Sequence, residues 1–335
     1  VVISDACTEL KALAEKASIP VSMSLMGKSS FPNKHVLATG MIGMHGTVAS
    51  NMAADKCDLL IAIGTRFSDR VIGDPKKFAH HAKVLQIDID PAEVNKNIKA
   101  SDALIGNIKD VLDRLLPLVT SKGITEWNKQ VDECRKEQLA PKFIFEYVNG
   151  KVKNNTIITT EVGQHQMWCA QFYQFTEPRT FLTSGGLGTM GYGTGAAIGA
   201  QIANPDRTVV HFAGDGSFRM NCNELATIQH YNLPIIIVVV DNGTLGNVRM
   251  WQTLFYEKRY SQTTLDFGPD WVKLACAYGI AGFDAKNEVE FEKAFDAALA
   301  SGKPAVIDAH VNIDEMVLPM IPPGKPIENL LMEIK

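Results

Sequence analysis

The sequence predicts an α/β protein made of two doubly wound parallel-sheet domains, and three observations lead there. Short apolar runs, mostly β-branched, recur at 21–26, 59–63, 84–89, 156–160, 208–212, 235–240 and 305–309, with helix-length amphipathic stretches between them. Runs of this kind are the signature of strands buried on both faces by helices. At 335 residues the chain also exceeds one ordinary domain. Between Leu115 and Phe143 the alternation lapses into polar and charged sequence. This places a first domain at 1–120, a linker at 121–142 and a second domain at 143–335.

Composition removes several function classes. The chain is 46% hydrophobic and 21% charged, enough apolar material for two cores. Its 33 Lys and Arg stand against 37 Asp and Glu, a net charge of -4. No basic surplus is available to neutralise a phosphate backbone, so nucleic acid is not an expected partner. The longest apolar run, Ile235 to Val240, is far short of the roughly 20 residues that a membrane helix needs, so no membrane is expected either. The start, Val1-Val2-Ile3-Ser4-Asp5, has neither an initiator Met nor the features of a signal peptide, and reads as the middle of a longer frame. Cys7, Cys57, Cys134, Cys169, Cys222 and Cys276 form no CxxC pair, which suits reduced thiols and a cytoplasmic location. The proline-bearing tail from Met316 is expected to cross a surface in extended form before a short helix.

The richest chemistry lies in the second domain. The run Thr208-Val-Val-His-Phe-Ala-Gly214-Asp215-Gly216-Ser217 reads as a buried strand entering a tight glycine turn, with Asp215 at its carboxyl end. One helix-length spacer later, a second buried strand ends at Asp241-Asn242-Gly243-Thr244. In a right-handed β-α-β unit adjacent parallel strands end side by side, so Asp215 and Asn242 can converge on one cation. A carboxylate, an amide oxygen and a backbone carbonyl are hard ligands suited to Mg²⁺ that also takes diphosphate oxygens. Gly214 and Gly216 let the backbone approach those phosphates. Each turn alone is an ordinary structural motif. Together, Gly-Asp-Gly followed one unit later by Asn is the thiamine diphosphate signature.

Further segments extend the match: Glu161-Val-Gly-Gln-His165, Ser184-Gly-Gly-Leu-Gly-Thr-Met190-Gly, Asn242-Gly-Thr-Leu-Gly and Val317-Leu-Pro-Met-Ile-Pro. With these the chain resembles the catalytic subunit of the acetohydroxyacid synthase (acetolactate synthase) family over essentially its whole length. What it covers is the family's FAD-binding middle domain and its thiamine diphosphate-binding pyrophosphate domain. The resemblance implies that Asp215, Asn242 and the Thr244 carbonyl bind Mg²⁺. It implies that Val162, Gly163, Gln164, His165, Gly188, Gly214, Gly216 and Ser217 surround the cofactor, and that Met190 holds it bent. Trp251 would shape the acceptor pocket, and Arg70 would face a ketoacid carboxylate, a pairing suited to the planar guanidinium.

In the first domain the resemblance assigns FAD to Ser24, Leu25, Gly43, Met44, His45, Gly64, Thr65, Arg66, Ser68, Val71, Asp88 and Ile89. The implied reaction decarboxylates pyruvate and condenses the product with pyruvate or 2-ketobutyrate, in a homodimer or homotetramer with a possible regulatory subunit. The chain departs from the family at Ser68, Asn107, Asp241 and Thr194-Gly195. The glutamate that activates the cofactor's aminopyrimidine belongs to an N-terminal domain that is expected to be missing, so the chain alone is expected to be inactive. A pyruvate oxidase-like enzyme and a non-catalytic cofactor-binding module are the competing readings.

Overall fold

The computed structural model describes residues 1–123, 125–133, 141–152 and 154–332. Two compact units emerge. The first gathers the described residues of Val1–Leu139 with Gln174–Arg179 and Leu318–Lys335, and the second those of Ala140–Tyr173 with Thr180–Val317.

In the first unit five parallel strands form two separate sheets. β1 (Val21–Met23) pairs with β2 (Ala38–Met41), and β3 (Leu59–Ile63), β4 (Lys83–Asp88) and β5 (Asp102–Ile105) pair in that order. The helix Cys7–Ala17 buries Leu10, Leu13 and Ala14, spaced for one helical face, in a core with Ile87, Ile108 and Leu112. A second cluster holds Ala54, Ala62, Phe67, Phe78 and Val84. The run at 21–26 breaks after Met23, where Ser24 caps a single 3-10 turn at Leu25–Gly27.

The second unit is one parallel sheet of β6 (Ile157–Thr160), β7 (Phe181–Leu182), β8 (Val209–Gly214), β9 (Ile235–Asp241), β10 (Ala281–Ala285) and β11 (Ala305–His310). Their order in space is β10-β11-β9-β8-β6-β7. From β6 the chain moves outward to β7, then returns past β6 to β8 and continues to β9. The direction of winding therefore reverses between β6 and β8, and this is where open α/β sheets bind ligands beyond their carboxyl ends. β8 and β9 are buried almost throughout, which is why their apolar runs lack alternation.

Three details go beyond the sequence reading. The tight glycine turn expected at Gly214-Asp215-Gly216-Ser217 is the start of a helical turn, Asp215–Phe218. The stretch expected to be a linker includes the helix Glu126–Glu133, with Trp127 and Val131 packed against Ala49 and Ala53; residues 124 and 134–140, with Cys134, lie outside the described ones. The tail runs without helix or strand to a single 3-10 turn at Ile327–Asn329; along it Val317 and Met320 are fully buried, Met320 bridges to Leu331, and the Ile321 N–H donates to the Met44 carbonyl at 2.9 Å. Among the described residues no helix is long and apolar enough to cross a membrane.

The helix Gly193–Ala203 starts in a space that tolerates no side chain. A Cβ on Gly193 would stand 2.5 Å from His211 Cε1 and 2.6 Å from the Thr160 backbone. Gly193→Ala is expected to lower stability by about 1–3 kcal/mol, since backbone cannot yield as a side chain does. Thermal unfolding by calorimetry measures this, and an unchanged midpoint contradicts it.

Candidate functional site

At the carboxyl ends of β6, β8 and β9 lies a cavity of about 160 Å³. Twelve residues singled out in the sequence line it: Val162, Gly163, Gln164 and His165 after β6; Gly188 and Met190 from the following loop; Gly214, Asp215, Gly216 and Ser217 at the end of β8; Asn242 and Thr244 after β9. The topology brings them together. β8 is flanked by β6 on one side and β9 on the other, with Gly214 in register with Val240.

Asp215 is only 3% exposed. Burial, and after it the charge of Asp241, pushes its carboxyl up to about 7. Removing a carboxylate from water beside another is costly without a cation. Asp241 itself accepts from the Gly243 N–H at 2.9 Å and so ties the turn after β9. Next to it the Asn242 amide is held in a fixed orientation, because its Nδ2 donates to Gln164 Oε1 at 2.9 Å while Gln164 Nε2 donates to the Glu315 carbonyl at 2.8 Å. The Asn242 Oδ1 faces the other way and accepts from the Thr244 N–H at 3.2 Å. Thr244 is anchored in turn through its hydroxyl, which donates to the Thr263 carbonyl at 2.8 Å.

His165 is buried, and its Nε2 has no hydrogen-bond partner among the described residues. Its ring occupies space left by two glycines: a Cβ on Gly163 would lie 2.8 Å from Cε1, and one on Gly214 2.8 Å from Nδ1. The glycine before Asp215 thus leaves room for a histidine ring.

Below the cavity is a buried polar clamp that sequence reasoning did not assign. Glu161, directly after β6, is fully buried and accepts from the Gly191 N–H at 2.6 Å, the Thr194 N–H at 3.0 Å and the Thr194 hydroxyl at 3.3 Å. His211 Nε2 lies 3.8 Å away, and its Nδ1 meets the Thr159 hydroxyl at 2.9 Å. Burial raises the Glu161 pKa, while backbone donors from Thr194, Gly191 and Gly193 oppose the shift. The clamp fixes the segment carrying Gly188 and Met190. It also explains Thr194, whose hydroxyl bonds the carboxylate. Glu224, a second carboxylate near the site in sequence, is engaged with the Thr227 hydroxyl at 2.7 Å. Leu245, Gly246 and Asn247 also line the cavity. Their signal was position alone, at the start of the helix Gly246–Phe255 that follows Thr244.

The other site candidates lie elsewhere. Trp251, on that same helix, packs edge-on against Phe255 at 5.5 Å between centroids and does not line the cavity. Arg70 is an exposed residue of the first unit, on the helical turn Asp69–Ile72. In the first unit Ser24 and Leu25 follow β1; Gly43, Met44 and His45 follow β2; Gly64, Thr65, Arg66, Ser68 and Val71 follow β3; Asp88 ends β4, with Ile89 next. The Met44 N–H donates to the Arg70 carbonyl at 2.7 Å, joining the loops after β2 and β3. Ser24, Gly64, Thr65 and Val71 share a second cavity, which the remaining residues of this set do not line. Asn107 caps the helix Ile108–Leu115 by accepting from the Lys109 N–H.

His165 provides a test of this geometry. Burial, then the proximity of His211, pushes its imidazole down to about 3, against a weaker opposing pull from the Glu161 backbone. An unfolded histidine titrates near 6.5, so unfolding takes up a proton between these values. The stability this group contributes is complete above about 6.5 and is lost as pH falls toward 3. His165→Asn is expected to remove a slope of about 1.4 kcal/mol per pH unit between pH 6 and 4. Denaturant melts of both proteins at pH 7 and 4.5 measure it, and identical pH dependence contradicts the buried, neutral ring.

Residues 161–309 match the family described as "Thiamine pyrophosphate enzyme, C-terminal TPP binding domain", and residues 1–115 match "Thiamine pyrophosphate enzyme, central domain". The chain is 45% identical over its full length to the probable acetolactate synthase large subunit of Methanocaldococcus jannaschii, covering 60% of that protein. It is 40% identical to the acetolactate synthase isozyme 2 large subunit of Escherichia coli, with 99% of the chain and 62% of the relative aligned. To the acetolactate synthase large subunit of Pyropia yezoensis it is 41% identical, over 97% of the chain and 58% of the relative. The chain thus spans about 60% of the length of these relatives. With two successive domains of one family matched, and the residues expected to hold metal and diphosphate lining one cavity where the sheet's winding reverses, the chain belongs to the thiamine pyrophosphate enzymes.

Proposed function

We propose that the chain is the central and C-terminal part of an acetolactate synthase catalytic subunit. The reaction would join two pyruvates into acetolactate with loss of carbon dioxide, or pyruvate and 2-ketobutyrate into the homologous product. The observation that carries the reading is the cavity joining Asp215, Asn242 and Thr244 to the β6 and β8 ends, in a chain 40–45% identical to acetolactate synthase large subunits.

The residues fit Mg²⁺ and a diphosphate. Asp215 is a buried carboxylate with no cationic side chain within ion-pair distance among the described residues, and the other donors are hard oxygens. Thiamine diphosphate, when bound, supplies the ring that stabilises the electron pair left by departing carbon dioxide. The chain's own residues bind and position. Asp215 balances the metal's charge, Gln164 turns the Asn242 oxygen toward it, and the Glu161 clamp keeps Met190 at the cavity wall. Trp251 would contact the acceptor ketoacid and Arg70 its carboxylate. For FAD we assign the loops after β1 to β4, where Gly43, at φ +118, leaves no room for a side chain beside Val71. A homodimer or homotetramer, a regulatory subunit and a cytoplasmic location complete the reading.

Two outcomes test it. Asp215→Ala is expected to abolish Mg²⁺-dependent binding of thiamine diphosphate in titration calorimetry, because a hard anionic ligand is lost; unchanged affinity contradicts the site. In the whole enzyme, Trp251→Leu should lower the preference for 2-ketobutyrate over pyruvate roughly ten-fold, since one methylene in an apolar pocket is worth about 1–3 kcal/mol. A competition assay returning the same product ratio would remove Trp251 from the pocket.

A further inference from the structure

The carboxyl edge of the second unit's sheet continues beyond the cavity, and a second polar cluster stands there. Asp241 ends β9, and His310 ends β11 in register with it. Asp308 lies two residues earlier on β11, and Asp284 of β10 is in register with Asp308. Side chains two apart on a strand, and those in register on neighbouring strands, share one face of the sheet. Three carboxylates and an imidazole are therefore gathered on a single face across β9, β11 and β10. One ligand atom each from Asp241, Asp308 and His310 lies within 4.8 Å of the other two. Donors held at about 2.0–2.2 Å around one tetrahedral metal ion stand about 3.3–3.6 Å apart, so closing this trio on an ion takes shifts of about 1 Å or less.

Burial singles out Asp308. It is only 7% exposed, and its Oδ1 has no hydrogen-bond partner among the described residues, while its Oδ2 stands 3.7 Å from His310 Nε2. A carboxylate oxygen withheld from water costs free energy unless something binds it. Apart from His310 itself, no cationic side chain reaches ion-pair distance of Asp241 or Asp308 among the described residues; Lys286 is engaged with Asp284 at 2.9 Å. His310 is exposed, so an ion has a way in from solvent.

We infer that Asp241, Asp308 and His310 form a second divalent-cation site, of zinc chemistry, beside the one proposed at Asp215 and Asn242. The imidazole decides the class of metal: one nitrogen with two carboxylates suits Zn²⁺, whereas Mg²⁺ prefers oxygen alone and Mn²⁺ ranks low for such donors. A water completes the four-coordinate shell. Binding exchanges the contact of His310 Nε2 with Asp284 Oδ1, now 2.7 Å, for the metal, and the neutral ring then carries its proton on Nδ1. Asp284 keeps Lys286 as its partner. Since Asp241 also accepts from the Gly243 N–H, the ion fastens β11 to the turn that carries Asn242 and Thr244. The inference does not depend on the proposed reaction.

Zinc titration of the metal-stripped 335-residue chain, kept reduced and in excess Mg²⁺, tests it. Calorimetry should find one Zn²⁺ equivalent, and X-ray absorption should show only nitrogen and oxygen neighbours at about 2.0–2.2 Å. Losing an outer partner of a metal ligand typically costs about 10–100-fold in affinity, so losing a ligand itself, in His310→Gln or Asp308→Asn, should cost at least about 100-fold. Asp215→Ala should leave the Zn²⁺ equivalent in place, and His310→Gln should leave Mg²⁺-dependent thiamine diphosphate binding in place, which separates the two sites. Should the buried substitution Asp308→Asn fail to fold, His310→Gln, on an exposed side chain, carries the test. Absence of Zn²⁺ binding overturns the inference, since a proton on His310 then suffices to hold the cluster. A sulfur neighbour at about 2.3 Å, the mark of a cysteine site, overturns it too, as does a Zn²⁺ equivalent lost in Asp215→Ala or kept in His310→Gln.

Discussion

The second unit keeps one carboxylate, Asp215, out of water next to another, Asp241, and much of the local structure makes sense as accommodation of that arrangement. A carboxyl held near 7 by burial and a like charge favours a cation beside it, and hard oxygen donors from the next strand line the same cavity. The order β9-β8-β6 makes this geometry possible, because three strand ends that are distant in sequence become neighbours in space. None of the three could serve alone.

Around this centre the fold fixes what must not move. Gln164 bridges Asn242 to the Glu315 backbone, so the Asn242 amide keeps its orientation through a bond that reaches across 151 residues of sequence. Glu161 does the same for the loop at the opposite wall. A fully buried carboxylate that accepts three donors, with a histidine beneath it, is justified only where every partner is supplied, and here Gly191 and Thr194 supply them. The glycines at 163, 193 and 214 share one cause: the rings of His165 and His211 occupy the space where side chains would be.

The strands announced by apolar runs were legible because burial on both faces removes polar residues from the sequence, as at Ile235–Asp241. β2, β5, β7 and β10 were not. β5 is exposed along its length, β10 is an edge strand carrying Gly282 and Asp284, and β7 has only two residues, so none leaves an apolar run. The twelve cavity residues were legible through the spacing of strand ends and through family resemblance. The support beneath them was not, since Glu161 has the composition of a surface residue and its burial depends on donors 30 and 33 positions away. The burial of Val317, Met320 and Ile321 in the tail was not legible either, because its prolines mark an extended path and not which side chains pack.

The most direct test of the account is to replace Mg²⁺ by Mn²⁺ in crystals grown with thiamine diphosphate and locate the metal by its anomalous signal. The account predicts one strong peak about 2.1–2.3 Å from a side-chain oxygen of Asp215 and from the Asn242 amide oxygen, with diphosphate oxygens completing the shell. A metal and diphosphate bound away from these two side chains, or a cofactor bound with no metal between β8 and β9, would contradict it.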